Sequence, residues 1–180
     1  FNCYEESIRV PLVYSNPKLF PKARKSKALV SHVDLLPTLA SLFKTPRAAR
    51  AKWQGVDYSR KILNPSAKSP QDYILFTYDD YQSGQKNGPY LPPPNHIVSI
   101  RESRWKLAEY YDIQGKVASE WEMYDLASDP LERINLAYPG YTRTPEQERE
   151  FKRLQSKLAS ARKKRLQPLP NTPKPQTPPE

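Results

Sequence analysis

The chain has 180 residues, enough for one compact domain with a real core, but it is only 37% hydrophobic and its mean hydropathy is −0.82. A lone cysteine, Cys3, excludes an internal disulfide and a zinc-type ligand set, and no apolar run approaches the roughly 20 residues of a membrane span. The net charge of +10 gathers between Lys22 and Lys61 and at Arg162-Lys163-Lys164-Arg165, without a nucleic-acid signature; solvated basic surface is the favoured reading, and no nucleic acid is expected.

From the N-terminus, Ile8 to Tyr14 is β-branched and mostly apolar and ends at Asn16-Pro17, which predicts a strand, with Pro11 arguing for an edge or a bulge. A basic, proline-containing loop follows from Lys18 to Lys27, and Ala28-Leu29-Val30 predicts a second short strand. Ser31 to Lys44 predicts a helix. Ser31 and Asp34 have capping-box spacing, but Asp34 is preferred as the N-cap because Pro37 then falls in the first turn, where its missing N–H costs nothing. Leu35, Leu39, Leu42 and Phe43 would form its buried face, and Thr45-Pro46 would end it.

Arg47 to Gln71 reads as an irregular connection with one short apolar turn at Ile62-Leu63. Tyr73 to Tyr78 predicts a strand, and Tyr81 to Asn95 a long Gly- and Pro-rich loop. His96 to Arg101 and Trp105 to Tyr111 form a predicted hairpin, and Glu120 to Leu126 adds another strand, giving a small antiparallel sheet with one wet face. Thr144-Pro145-Glu146-Gln147 is a strong helix start, and Phe151, Leu154, Leu158 and Ala161 give the helix a single apolar stripe. From Gln167 onward, proline density predicts a disordered, partly polyproline-II tail.

The order of motifs carries a resemblance. YEESIRVPL from Tyr4, SHVDLLPTLASL from Ser31, WQGVDYS from Trp53, RESRWKLAEYYD from Arg101 and EWEMYDLASDPLERINLA from Glu120 together resemble the C-terminal half of sulfatases, in the alkaline-phosphatase superfamily. The resemblance runs from Tyr4 to about Ala137. It implies an α/β fold, the C-terminal part of an alkaline-phosphatase-like mixed sheet followed by a small antiparallel α+β subdomain with a C-terminal helix. The expected division is 1–71 for the end of the catalytic α/β domain, 72–166 for the antiparallel subdomain with its closing helix, and 167–180 for the Pro-rich tail. With Phe1 rather than Met in first place, a fragment or processed product is expected.

The implied reaction is hydrolysis of an aryl or carbohydrate sulfate ester by a formylglycine, with a divalent cation, calcium, holding the sulfate oxygens. Cys3 is followed by Tyr4-Glu5-Glu6 and lacks the C-x-P-x-R pattern that formylglycine formation needs. The family's metal ligands and sulfate-binding lysine precede its YEE motif. Accordingly no catalytic and no metal-binding residue is expected in this chain, which alone should bind no cofactor and be inactive. Its partner would be the sulfate-ester substrate of a parent enzyme, whose compartment is open, with periplasm or secretion suited to the family.

Other residues invite roles. His96, closing an aromatic-rich loop, is the one substrate-rim candidate, weighed against a plain hairpin-edge histidine. Asp79-Asp80 mimics a metal-binding pair, but a solvated strand end is the favoured reading. His32 reads as structural, Glu5, Glu6 and Arg9 as a brace of ion pairs, and Tyr78, Tyr81 and Tyr90 as an aryl rim or ordinary strand-end tyrosines. Two alternatives stay open: a phosphodiester or phosphonate-ester hydrolase fragment of the same superfamily, and a non-catalytic basic module binding anionic polymers or proteins.

Overall fold

In a computed structural model the described residues are 2–46, 53–79 and 92–166. Four strands, β1 (Tyr73–Asp79), β2 (His96–Glu102), β3 (Trp105–Tyr111) and β4 (Glu120–Asp125), form an antiparallel meander in the order β1-β2-β3-β4. Tyr73 faces Glu102, His96 faces Tyr111, and Trp105 faces Asp125. Period-2 alternation puts Val98, Ile100, Trp105, Leu107 and Met123 on one face.

That face is covered by the long helix among the described elements, Pro145–Arg165. Its start follows the predicted chemistry: Thr144 Oγ1 accepts from Gln147 N at 3.3 Å, and Gln147 Oε1 accepts from Thr144 N at 2.8 Å. Leu154, Leu158 and Ala161 are buried against the sheet, and Phe151 meets Trp121 edge-on at 6.0 Å. Burying each leucine stabilises the fold by about 1.5–3 kcal/mol. At the rim Arg153 and Lys157 reach Glu102 across the gap between helix and sheet.

The edge of β4 is closed by a side chain. Asn135 donates Nδ2–H to Trp121 O at 3.0 Å, while its Oδ1 accepts from Met123 N at 3.0 Å, and Leu136 N donates to Met123 O at 2.9 Å. The unpaired groups of an edge strand are thereby satisfied without a fifth strand.

The first 71 residues depart from expectation. Glu5–Ile8 is a single helical turn, α1, and residues 9–16 run extended with no ladder partner among the described residues. Ala28-Leu29-Val30 is likewise unpaired. A strand exists only through its neighbour's hydrogen bonds, so β-branched composition is insufficient, and Val10, Leu12 and Val13 stand exposed, Val13 at 83%. No mixed or parallel sheet is therefore formed among the described residues.

The helix after Ser31 is also rearranged. A 3-10 turn, His32–Asp34, leads into α2 (Leu35–Leu42). Asp34 is not the N-cap: its backbone is already helical, and Ser31 is the cap, in a capping box whose Asp34 carboxylate accepts from Ser31 N at 2.8 Å. Pro37 does fall in the first turn of α2. The expected buried face is turned outward in part, with Leu35 and Leu36 exposed and Phe43 at 77%, whereas Thr38 and Ala40 are buried. The helix ends before Pro46 as expected, with Lys44 at φ 56° and Thr45 N donating to Ala40 O at 2.8 Å.

Within the supposed irregular connection, Ser59–Leu63 forms a short helix, α3; the long helix at Pro145–Arg165 is α4. Gly55, ahead of α3, has φ +89° and lies against the 3-10 turn, where a β-carbon would collide with the Val33 carbonyl and sit 3.0 Å from Asp34 Cα. Gly55→Ala is expected to destabilise the chain by about 2 kcal/mol or more, read as a lowered urea midpoint. A midpoint equal to wild type would refute the close approach. The long loop and the Pro-rich tail lie largely or wholly outside the described residues.

Candidate functional site

The second face of the sheet was expected to be wet. It is instead covered by residues 3–5 and by the turn carrying Glu132. Lys106, on β3 between Trp105 and Leu107, points to this face and its side chain is 0% exposed. Its ammonium donates to Cys3 O at 2.7 Å, pairs with the Glu132 carboxylate, lies 3.6 Å from Glu5 Oε1 and sits over the Tyr124 ring at 5.7 Å.

Glu132 has φ 53°, a left-handed backbone that aims its side chain inward, and its Oε2 accepts from Glu5 N at 2.6 Å. Glu5 in turn receives Arg101 from β2, Nη2 to Oε2 at 3.1 Å and Nε to Oε1 at 3.4 Å. Two cations thus meet two carboxylates with backbone groups filling the gaps, which is what a buried ionic cluster requires. The effect is to clamp Cys3-Tyr4-Glu5 to the sheet. An open cavity of about 250 Å³ lies beside it, lined by Tyr4, Glu6, Pro130, Leu131 and Glu132.

Beyond the clamp, Cys3 Sγ is 3.7 Å from Tyr110 Oη and 3.8 Å from Glu122 Oε2, to which Tyr110 also donates at 3.1 Å. Burial, reinforced by Glu122, pushes the Cys3 thiol up to about 12, and burial also raises Glu122 above the usual carboxylate range. The thiol therefore stays protonated near neutrality and is no nucleophile.

A second polar centre organises the segment from Ser31. The Asp34 side chain, in a residue 1% exposed, accepts from Ser31 N, Val56 N and Gln71 Nε2, each at 2.8 Å. Gln71 Nε2 also donates to Leu29 O at 3.0 Å, and Thr38 Oγ1 accepts from Tyr58 N at 3.1 Å. The Ser, Asp and Thr of the SHVDLLPT motif are thus tied to scaffolding.

The individual candidates resolve unequally. His96 faces Asp79 across β1 and β2, its Nδ1 2.8 Å from Asp79 Oδ1, and its ring lies 5.3 Å from that of Tyr111; the side chain is 17% exposed. Asp79 is an exposed strand end, and Asp80, Tyr81 and Tyr90 lie outside the described residues. His32 is exposed in the 3-10 turn, and Tyr78 is exposed on β1. Glu5 is the brace residue of its motif, but its charged partners are Arg101 and Lys106; Glu6 and Arg9 are exposed.

Sequence reasoning missed Lys106, Arg101 and Glu132. The available signal was Lys106 itself, a charge in the middle of a Trp-Lys-Leu-Ala strand flanked by residues destined for the core. Among the described residues no three His, Cys, Asp or Glu side chains are placed to hold a metal ion.

Residues 2–164 match the family model described as "N-sulphoglucosamine sulphohydrolase, C-terminal". Over 138 residues the chain is 31% identical to an N-acetylglucosamine-6-O-sulfatase of Bacteroides thetaiotaomicron, covering 74% of this chain and 22% of that protein. Over 137 residues it is 30% identical to a choline-sulfatase of Rhizobium meliloti, covering 76% and 23%. Among solved structures, a protein in complex with its substrate D-glucosamine-2-N,6-O-disulfate superposes with TM-score 0.56 at 22% identity, over 80% of this chain and 25% of that one. A phosphonate monoester hydrolase of Agrobacterium radiobacter gives TM-score 0.58 at 20% identity, over 79% and 26%. The chain spans about a quarter of the length of these relatives.

Proposed function

Since the chain belongs to the family of sulfatase C-terminal regions, within the alkaline-phosphatase superfamily, we propose that it is the closing portion of an enzyme that hydrolyses sulfate esters of carbohydrates. The observation that carries this reading is the match over residues 2–164, combined with coverage of only 22% of the length of a sulfatase relative. The exposed apolar residues Val10, Leu12, Val13, Leu36 and Phe43 support it, since apolar groups on one chain segment after another favour a packing partner.

In this reading residues 1–71 complete a larger mixed sheet and 72–166 form the subdomain set against it. The formylglycine nucleophile and the calcium that offsets charge on the sulfate oxygens belong to the preceding part of the enzyme. His96, oriented by Asp79, stands at the substrate rim and contacts the leaving sugar. The clamp around Lys106 sets where the YEE segment enters the catalytic domain.

A sulfate ester is favoured over a phosphonate ester because the curated relatives at 26–31% identity include sulfatases of amino sugars and of a hexuronate, whereas the phosphonate hydrolase likeness rests on fold at 20% identity. The test is twofold. The coding frame ahead of Phe1 is expected to specify a C/S-x-P-x-R motif and a strand ending in paired aspartates, and the 180-residue chain with calcium is expected to release no sulfate from glucosamine 6-sulfate. A frame lacking both features, or calcium-dependent turnover by this chain alone, would overturn the proposal.

A further inference from the structure

The two edges of the sheet differ. On β4 the outward backbone groups of Trp121 and Met123 are taken by Asn135 and Leu136. An antiparallel residue sends its N–H and C=O to the same side, and successive residues alternate. The unbroken registers carry that alternation from β4 back to β1. Ile74, Phe76 and Tyr78 therefore bond toward β2, and Tyr73, Leu75, Thr77 and Asp79 direct their backbone groups outward. Among the described residues no hydrogen bond reaches those outward groups. Nor does β1 carry a device that blunts an edge, since Tyr-Ile-Leu-Phe-Thr-Tyr-Asp holds no lysine, proline or bulge.

This edge is complementary to itself. When β1 meets a second β1 antiparallel, with Phe76 opposite Phe76, Leu75 falls opposite Thr77 and Tyr73 opposite Asp79. The outward donors and acceptors of both strands then pair with one another. Tyr73 and Leu75 pack on the α4 side of the sheet, so Asp79 of the second copy arrives on that side as well. A cationic end awaits it there: Arg165 Cζ lies 4.3 Å and Lys157 Nζ 4.8 Å from the Tyr73 ring centroid. Arg165 is held by the Gln71 amide oxygen at 3.2 Å rather than by a carboxylate, and the Asp79 side chain is 63% exposed.

We propose that β1 is a self-association edge, through which two copies of this chain join their sheets into one, with both α4 helices on the same side. The occupant is a second copy rather than an unrelated strand, because one two-fold arrangement satisfies the backbone register and brings Asp79 to Arg165 at both ends. The proposal goes beyond the hydrolytic reading, and self-association is measured without turnover.

The experiment is sedimentation velocity of the full 180-residue chain over a concentration series, repeated with variants. A shift from monomer to dimer is expected at about 10–100 μM, the weak range suited to a small interface. Thr77→Pro removes an outward N–H and spares the ladder to β2, so it is expected to weaken dimerisation at least about tenfold. Its urea midpoint at high dilution is expected to match wild type, which separates loss of the edge from unfolding. Asp79→Lys is expected to weaken dimerisation too, and Asp79→Lys with Arg165→Glu to return affinity to within about threefold of wild type. A chain that stays monomeric throughout the series, or a charge swap without rescue, would overturn the proposal. Association that survives Thr77→Pro would belong to the exposed apolar residues ahead of the sheet, such as Val13 and Phe43, and would overturn it equally.

Discussion

Replacing Lys106 by methionine is expected to cost about 3–5 kcal/mol of stability, because it removes one partner from a buried ionic cluster and leaves the other behind. Methionine fills nearly the same volume, so the loss is not a cavity effect. What remains is Glu132, 2% exposed at its side chain, facing the emptied position, and the Cys3 carbonyl without its donor. Arg101 still holds Glu5, so the damage should centre on the Glu132 turn and on Cys3-Tyr4.

The measurements are the urea midpoint and amide exchange of residues 3–8, which should accelerate by more than that of α4. Lys106→Met combined with Glu132→Gln should recover part of the loss, since the stranded charge is then gone. A single-variant cost below about 1 kcal/mol would show that water reaches the cluster and that the clamp is weak.

The second large effect is expected at Asp34. Asp34→Ala strips three hydrogen-bond donors, Ser31 N, Val56 N and Gln71 Nε2, of a common acceptor. Each unsatisfied buried group costs about 1–3 kcal/mol, and partial hydration limits the expected total to about 3–4 kcal/mol. Because the three donors come from three segments, the loss should show as selective loosening of α2 and α3, with the sheet and α4 retained. Asp34→Asn keeps the shape but turns an amide N–H₂ toward a donor, so an intermediate loss is expected. Equal unfolding midpoints for Asp34→Ala and wild type would refute Asp34 as the organising acceptor.

These two centres show where sequence reasoning stops. At α4, a Thr-Pro-Glu-Gln start and a Leu154–Leu158 stripe are sufficient, because capping and amphipathic spacing act within one or two turns. The strands from Tyr73 to Asp125 were legible for the same reason: alternation along each strand and the tight β2–β3 turn made antiparallel pairing the default. Val10-Pro11-Leu12-Val13 carries an equally strong β signal, yet it has no ladder, since pairing depends on a neighbour that local composition does not supply.

The helix after Ser31 differs in another way. Asp34 has the residue type of a cap, but its carboxylate closes a capping box on Ser31 N and accepts from the distant Val56 N and Gln71 Nε2, and the residue itself lies in the 3-10 turn. The candidate site shows the same division. His96 was identifiable as a strand-leading histidine, whereas its Asp79 partner follows from the register of β1 against β2.

The amino-acid sequence by itself determined the sheet-and-helix layout of residues 73–165 and, through its motif order, the family, because both rest on short-range patterns written into consecutive residues. Only the tertiary structure decided that Lys106 is buried, that Glu132 and Glu5 neutralise it together with Arg101, and that β1 is an edge of the sheet. Burial and charge pairing depend on which distant segments cover a face, and residues 3, 5, 101, 106 and 132 meet only after the chain has folded back on itself.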